Sequence, residues 1–229
     1  MKYVVLFAVV LSIGCGKPEQ SVASSAAPAS PQAPQAPQAP KAPQAPRIVF
    51  LGDSLTAGLG LAADRSFPSL IEKKLKEKGL DYDVINAGVS GDTSAGGVRR
   101  LDWSMEGDVR VLILALGGND GLRGLPTTEM KKNLAAVLDR ARERKVSVIL
   151  AGMEAPPNYG PEYTRAFRKV YSELATEYKV RFIPFLLQGV AGDASLNQAD
   201  GIHPNVRGAE IVADLVWAEL EPALRRPNQ

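Results

Sequence analysis

Cysteine and histidine each occur once in these 229 residues. A lone thiol leaves nothing to build a disulfide framework from, and a lone imidazole excludes the His-rich zinc and dinuclear metal centres. Aromatic residues make up only 6% of the chain and the formal net charge is +2. With no basic cluster carrying interleaved aromatics, neither composition nor overall charge calls for nucleic acid or an anionic membrane. No apolar run approaches the twenty or so residues of a membrane-spanning helix. What is present is ordinary for one globular domain, 45% hydrophobic and 23% charged.

The cysteine sits near the start. Lys2 precedes an apolar run of about eleven residues, Tyr3 to Ile13, followed by Gly14-Cys15. A positive start and a short apolar stretch make residues 1–14 a secretory signal. Gly14-Cys15 at its end resembles a bacterial lipobox, which implies cleavage before Cys15 and acylation of its thiol. Ser12 stands where lipoboxes favour leucine; the alternative is an ordinary cleaved signal with an incidental cysteine. An acylated Cys15 would anchor the protein to a membrane without spanning it, placing the domain in the bacterial cell envelope, on the periplasmic side. Residues 15–46 are rich in Pro, Ala and Gln, with a Pro-Gln-Ala triplet repeated between Pro31 and Pro46. This stretch lacks large apolar side chains, favours extended polyproline II and reads as a disordered spacer. Its last sixteen residues reach up to roughly 50 Å.

From residue 47 to 229 the pattern is that of one domain. Short, mostly β-branched apolar runs occur at Ile48–Leu51, Val84–Ile85, Val109–Leu116, Val146–Ala151 and Val180–Pro184, as in strands buried on both faces. Helical periodicity occupies Phe67 to Lys78, with Ser66 as cap and Gly79 as stop, then Thr127 to Lys145, Pro161 to Lys179 and Arg207 to Arg225. Five strands alternating with helices predict an α/β fold with a five-stranded parallel sheet covered on both faces. Sites in such sheets lie beyond the carboxyl ends of the strands.

Polar clusters fall at those ends. Gly52-Asp53-Ser54 follows the first apolar run, Asn86 to Asp92 the second, and Gly117-Gly118-Asn119-Asp120 the third, while Asp200-Gly201-Ile202-His203-Pro204 precedes the last helix. A serine hydroxyl is a weak nucleophile until a base takes its proton, and histidine is the usual base at neutral pH. His203 is the sole imidazole, so a serine–histidine mechanism must use it, and Asp200 is near enough to bond the far ring nitrogen. The N–H of Ser54, the N–H of Gly91 and the amide of Asn119 would supply three donors to a tetrahedral oxyanion. Asp53 and Asp120 are read as holding Ser54 and Asn119 in place, Asp92 as a cap for the helix that follows, and Trp103 and Trp217 as packing residues.

LGDSLTAGLG (51–60), NAGVSGDTSAGG (86–97), ALGGNDGLRGL (115–125), NYGPEY (158–163) and DGIHPN (200–205) together resemble the SGNH, or GDSL, hydrolase family. The likeness is strongest to its bacterial periplasmic acyl-thioesterase, lysophospholipase and arylesterase group. It runs from Ile48 to about Leu220. The resemblance implies a three-layer α/β/α, flavodoxin-like sandwich and no metal or organic cofactor. It assigns Ser54 as nucleophile, Asp200 and His203 as its triad partners, and Gly91 and Asn119 as oxyanion donors. Gly88-Val89-Ser90-Gly91-Asp92 is near the nucleophile elbow G-x-S-x-G, yet Asp92 replaces the last glycine, which makes Ser90 a decoy.

The implied chemistry is hydrolysis of carboxylic esters, and of thioesters, through an acyl-enzyme. By the same resemblance Gly121 to Pro126 and Met153 to Tyr163 border the acyl groove, with Leu122, Leu125, Met153, Pro156 and Tyr159 as its apolar wall. The implied substrates are small esters, thioesters or lysophospholipids, and a monomer is expected. Two alternatives remain open here. One is an O-acetyl deacetylase of cell-envelope polysaccharide. The other is a metal-dependent phosphoesterase with Asp53, Asp92, Asp120 and Asp200 as oxygen ligands.

Overall fold

A computed structural model describes residues 45–225 of the chain. The signal, Cys15 and the Pro/Ala/Gln-rich spacer up to residue 44 lie outside the described residues. Five strands, β1 (Arg47–Gly52), β2 (Asp83–Gly88), β3 (Val109–Ala115), β4 (Ser147–Ala151) and β5 (Arg181–Ile183), form one sheet in the order β2-β1-β3-β4-β5. Every neighbouring pair is parallel. This is the flavodoxin-like strand order, and the α/β, five-stranded fold read from the sequence is the one observed.

Alternation along β1 explains the layering. Ile48 and Phe50 face one helical layer, α2 (Phe67–Glu77) and α8 (Val206–Arg225). Val49 and Leu51 face the other, where α6 (Thr127–Glu143) and α7 (Gly160–Tyr178) pack. All four side chains are fully inaccessible, which is why the strand reads as a continuous apolar run. β2 is different. It is an edge strand with intermediate and exposed positions, so its polar residues hid all but Val84 and Ile85 from a search for apolar runs.

Four short helices close the turns: α1 (Ser54–Ala57), α3 (Ser94–Arg99), α4 (Leu101–Ser104) and α5 (Gly118–Leu122). Thr93, not Asp92, caps α3, accepting from the Gly96 N–H. Asp92 instead pairs with Arg100. Trp103 departs from the sequence reading, standing 69% exposed on α4, whereas Trp217 packs against the α2–α8 core. Among the described residues, 45–225 carry the whole five-stranded sheet and a core on each of its faces.

Candidate active site

β1 ends at Gly52 because nothing larger fits. A Cβ there would collide with Thr56 Oγ1 and the Ala115 carbonyl oxygen, so only glycine lets the chain turn into α1 against β3. Asp53 caps α1, its Oδ1 accepting from the Leu55 N–H at 3.1 Å. Ser54 is thereby the first residue of the helix, 9% exposed at the carboxyl edge of the sheet.

The loop before α8 brings His203 to it. His203 Nε2 lies 2.9 Å from Ser54 Oγ, and its Nδ1 lies 2.7 Å from Asp200 Oδ2. The other Asp200 oxygen, Oδ1, accepts from the backbone N–H groups of Ile202 and His203, both at 3.0 Å. Those N–H bonds, that of His203 first, and then the ring hold the Asp200 carboxyl down at about 2. It is therefore an anion throughout the neutral range, suited to orient the imidazole and stabilise its charged form. Gln198 fastens this loop to the serine side: its Nε2 donates to the Leu59 carbonyl (2.7 Å) and to that of Pro204 (3.0 Å). Sequence reading missed Gln198, since a glutamine two residues before the aspartate carries no distinctive pattern.

Asn119 stands on α5 after β3, and its Nδ2 donates to Asp53 Oδ2 at 3.3 Å. Burial pushes the Asp53 carboxyl up to about 6, against the lowering pull of the Leu55 N–H, His203 and Asn119. Asp120 points away from Asn119. Its oxygens accept from the Ser94 N–H (2.7 Å) and hydroxyl (2.6 Å), tying α5 to α3.

Gly91 lies on the adjacent loop. Asp92 N–H donates to the Val89 carbonyl at 3.0 Å, and Gly91 has φ +82°. A positive φ at the third position is the mark of a type II turn, which glycine fills without strain. Two arginines hold the turn. Arg100 donates to Asp92 Oδ2 (2.6 Å), the Ala87 carbonyl (2.6 Å) and the Gly52 carbonyl (2.7 Å), joining the ends of β1 and β2. Arg123 donates to the Gly91 carbonyl at 2.8 Å. Among the described residues neither the Ser54 N–H nor the Gly91 N–H has a protein acceptor. Ser90 is exposed, and the one imidazole is bonded to Ser54.

A groove of about 260 Å³ opens beside Ser54, His203 and Asn119. Leu122, Met153 and Pro156 line it; Leu125 and Tyr159 do not. The Tyr159 hydroxyl donates to the Leu122 carbonyl (3.1 Å), and the Leu125 carbonyl accepts from the Tyr163 hydroxyl (2.8 Å). Phe185, Leu187 and Ile202 take their place in the wall. The strand-end rule applied to β5, and the interior of the Asp200–His203 motif, could have found them. Gly91 is not part of the groove lining.

The four carboxylates of the phosphoesterase alternative are engaged separately, Asp92 by Arg100, Asp120 by Ser94, Asp200 by His203 and Asp53 by Asn119. Among the described residues no three His, Cys, Asp or Glu side chains are grouped to hold a metal ion.

The family model described as GDSL-like Lipase/Acylhydrolase family matches residues 50–211. The chain belongs to this family. It is 42% identical over 178 residues to Esterase TesA of Pseudomonas aeruginosa, covering 77% of this chain and 89% of that protein. It is 35% identical over 182 residues to Thioesterase 1/protease 1/lysophospholipase L1 of Escherichia coli K12, with 79% and 86% covered. Among solved structures, the crystal structure of TesA superposes with a TM-score of 0.74 at 42% identity, covering 77% of this chain and 99% of that one. As a member of the family the chain is a carboxylic ester hydrolase of the serine type.

Proposed function

We propose that this esterase works through an acyl-enzyme on Ser54. His203 Nε2 removes the Ser54 proton as Oγ bonds to the carbonyl carbon, and Asp200 stabilises the resulting imidazolium. The N–H groups of Ser54 and Gly91 and the Asn119 amide stabilise the oxyanion. Collapse of the tetrahedral species breaks the bond to the leaving alcohol or thiol, which takes the proton from His203. Water then attacks the acyl-enzyme with His203 again as base, freeing the acid and restoring Ser54. The observation that carries this reading is the unbroken chain Asp200–His203–Ser54, with contacts of 2.7 and 2.9 Å.

The apolar wall of Leu122, Met153, Phe185, Leu187 and Ile202 favours acyl chains longer than acetyl, hence esters, thioesters or lysophospholipids over O-acetyl groups of a polysaccharide. Hydrolysis of p-nitrophenyl esters from acetyl to palmitoyl tests this. A maximum beyond acetate is expected; acetate as the best substrate would favour the deacetylase. The signal-like start and Cys15 support a lipid anchor in the cell envelope, and we read the enzyme as a monomer. Loss of palmitate labelling in Cys15→Ser is the expected outcome.

A further inference from the structure

At the amino edge of the sheet, opposite Ser54, lies a cleft of about 520 Å³, twice the volume of the acyl groove. Its floor is apolar, Leu138, Val146, Val148 and Val180, and its rim holds Arg142, Lys145, Lys179 and Arg181 with no carboxylate in the lining. Overall charge gave no hint of such a cluster. Two of the cations are braced. Arg142 lies over the Tyr178 ring at 5.2 Å and contacts Asp139 at 2.6 Å, while Arg181 contacts Glu219 at 3.3 Å. The two lysines have no ion-pair partner among the described residues.

Their backbones make the cluster informative. Lys145 and Lys179 end α6 and α7 in the left-handed region, φ 56° and 54°, the only non-glycine residues to adopt it among those described. In each case the next residue donates back to the helix, Val146 to Ala141 and Val180 to Ala175. α2 ends in the same way, with Leu80 donating to Leu75, but its left-handed residue is Gly79. Glycine is the ordinary occupant of that position because it lacks the Cβ that strains the conformation. The helix dipole favours a cation at the C-terminus of each helix taken singly. It does not explain why both strained residues are lysine and both line one cleft.

From these two strained lysines flanking an apolar-floored, acid-free cleft, we infer that the amino edge is a docking site for the headgroups of an anionic phospholipid surface. The phosphates meet Lys145, Lys179 and the braced guanidinium of Arg142, and the floor accepts the glycerol and upper acyl carbons. Chain geometry selects a membrane as the occupant. The forty-four residues before the described domain enter at this same edge, through Pro46, beside a smaller cleft that shares Ser147 and Ala223 with the basic one. A tether there attaches the domain to the bilayer from the edge that carries the basic rim, and the charge of that rim selects the face that meets the lipid. Only the choice of occupant rests on the proposed anchor.

Residues 45–229, which lack Cys15 and so cannot bind through an acyl chain, are the material for the test. Co-sedimentation should favour phosphatidylglycerol–phosphatidylcholine vesicles over phosphatidylcholine alone and weaken in high salt. The paired variant Lys145→Gly/Lys179→Gly removes both charges and relieves both backbones. It should melt no lower than the parent and hydrolyse soluble p-nitrophenyl esters equally fast, while partitioning about thirty-fold more weakly onto the anionic vesicles. Equal binding to both vesicle types, retained binding in the paired variant, or inorganic phosphate alone matching the vesicles in thermal protection would each overturn the inference. Loss of ester hydrolysis in all forms would count against the esterase mechanism and leave this result untouched.

Discussion

At the carboxyl edge of the sheet the protein buries polar groups: Asp53, Ser54, Ser94 and Asp120 are all nearly inaccessible, and each has a hydrogen-bond partner. At the amino edge the charges stay on the rim of an open cleft and the floor is apolar. The contrast teaches what each edge is for. Burying a polar group is unfavourable unless it is hydrogen-bonded, so a cluster of buried, partnered polar residues marks where geometry has been fixed for chemistry. Rim charges over an apolar floor suit the headgroup surface inferred above.

Breaking the carboxyl edge at its centre should have the largest effect. Ser54→Ala or His203→Ala should lower kcat for p-nitrophenyl butyrate by about three orders of magnitude or more, with far-UV circular dichroism unchanged. Asn119→Ala should lower kcat by ~10²–10³ with little change in KM, the usual loss for one oxyanion donor.

Arg100→Met tests the support behind the site. It removes the Arg100 donor from the Ala87 carbonyl and the Asp92 carboxylate, and leaves the Gly52 carbonyl with the Val89 N–H. With both ion-pair partners only slightly exposed, a loss of about 2–3 kcal/mol is expected in urea unfolding. The same truncation at Arg140, whose partners Asp102 on α4 and Glu143 on α6 are both exposed, should have a negligible effect.

Asp53 gives a smaller and more specific signal than Arg100. Burial raises its folded carboxyl to about 6, against an ordinary 3.8. Between those pH values the folded state holds a proton that the unfolded state has released, so this group lowers stability as pH rises from 3.8 to about 6. Asp200 runs the other way. Its contribution is present above 3.8 and is lost as pH falls toward about 2. Urea midpoints from pH 3 to 7 should therefore lose the Asp53 slope in Asp53→Asn, while kcat falls about tenfold through a displaced Asn119 amide, within the range for a weakened donor.

The candidate catalytic cluster was legible in the sequence because each of its residues follows an apolar run or precedes the final helix, and parallel strands bring those points to one edge. The supports were less visible. Arg100 reaches the carbonyl ends of two strands from α3, a relation that depends on three-dimensional register. Leu125 and Tyr159 were expected in the acyl groove from the family resemblance, yet neither lines it, and the Tyr159 hydroxyl bonds the Leu122 carbonyl instead. Trp103 looked like core because tryptophan is apolar, and a four-residue helix leaves it outside. Periodicity over so short an element cannot specify a buried face.

Covalent labelling with a fluorophosphonate, followed by peptide mass spectrometry, tests the central claim most directly. The account predicts one adduct, on Ser54, abolished in Ser54→Ala and strongly slowed in His203→Ala. An adduct on Ser90, or unchanged labelling without the Ser54 hydroxyl, would contradict it.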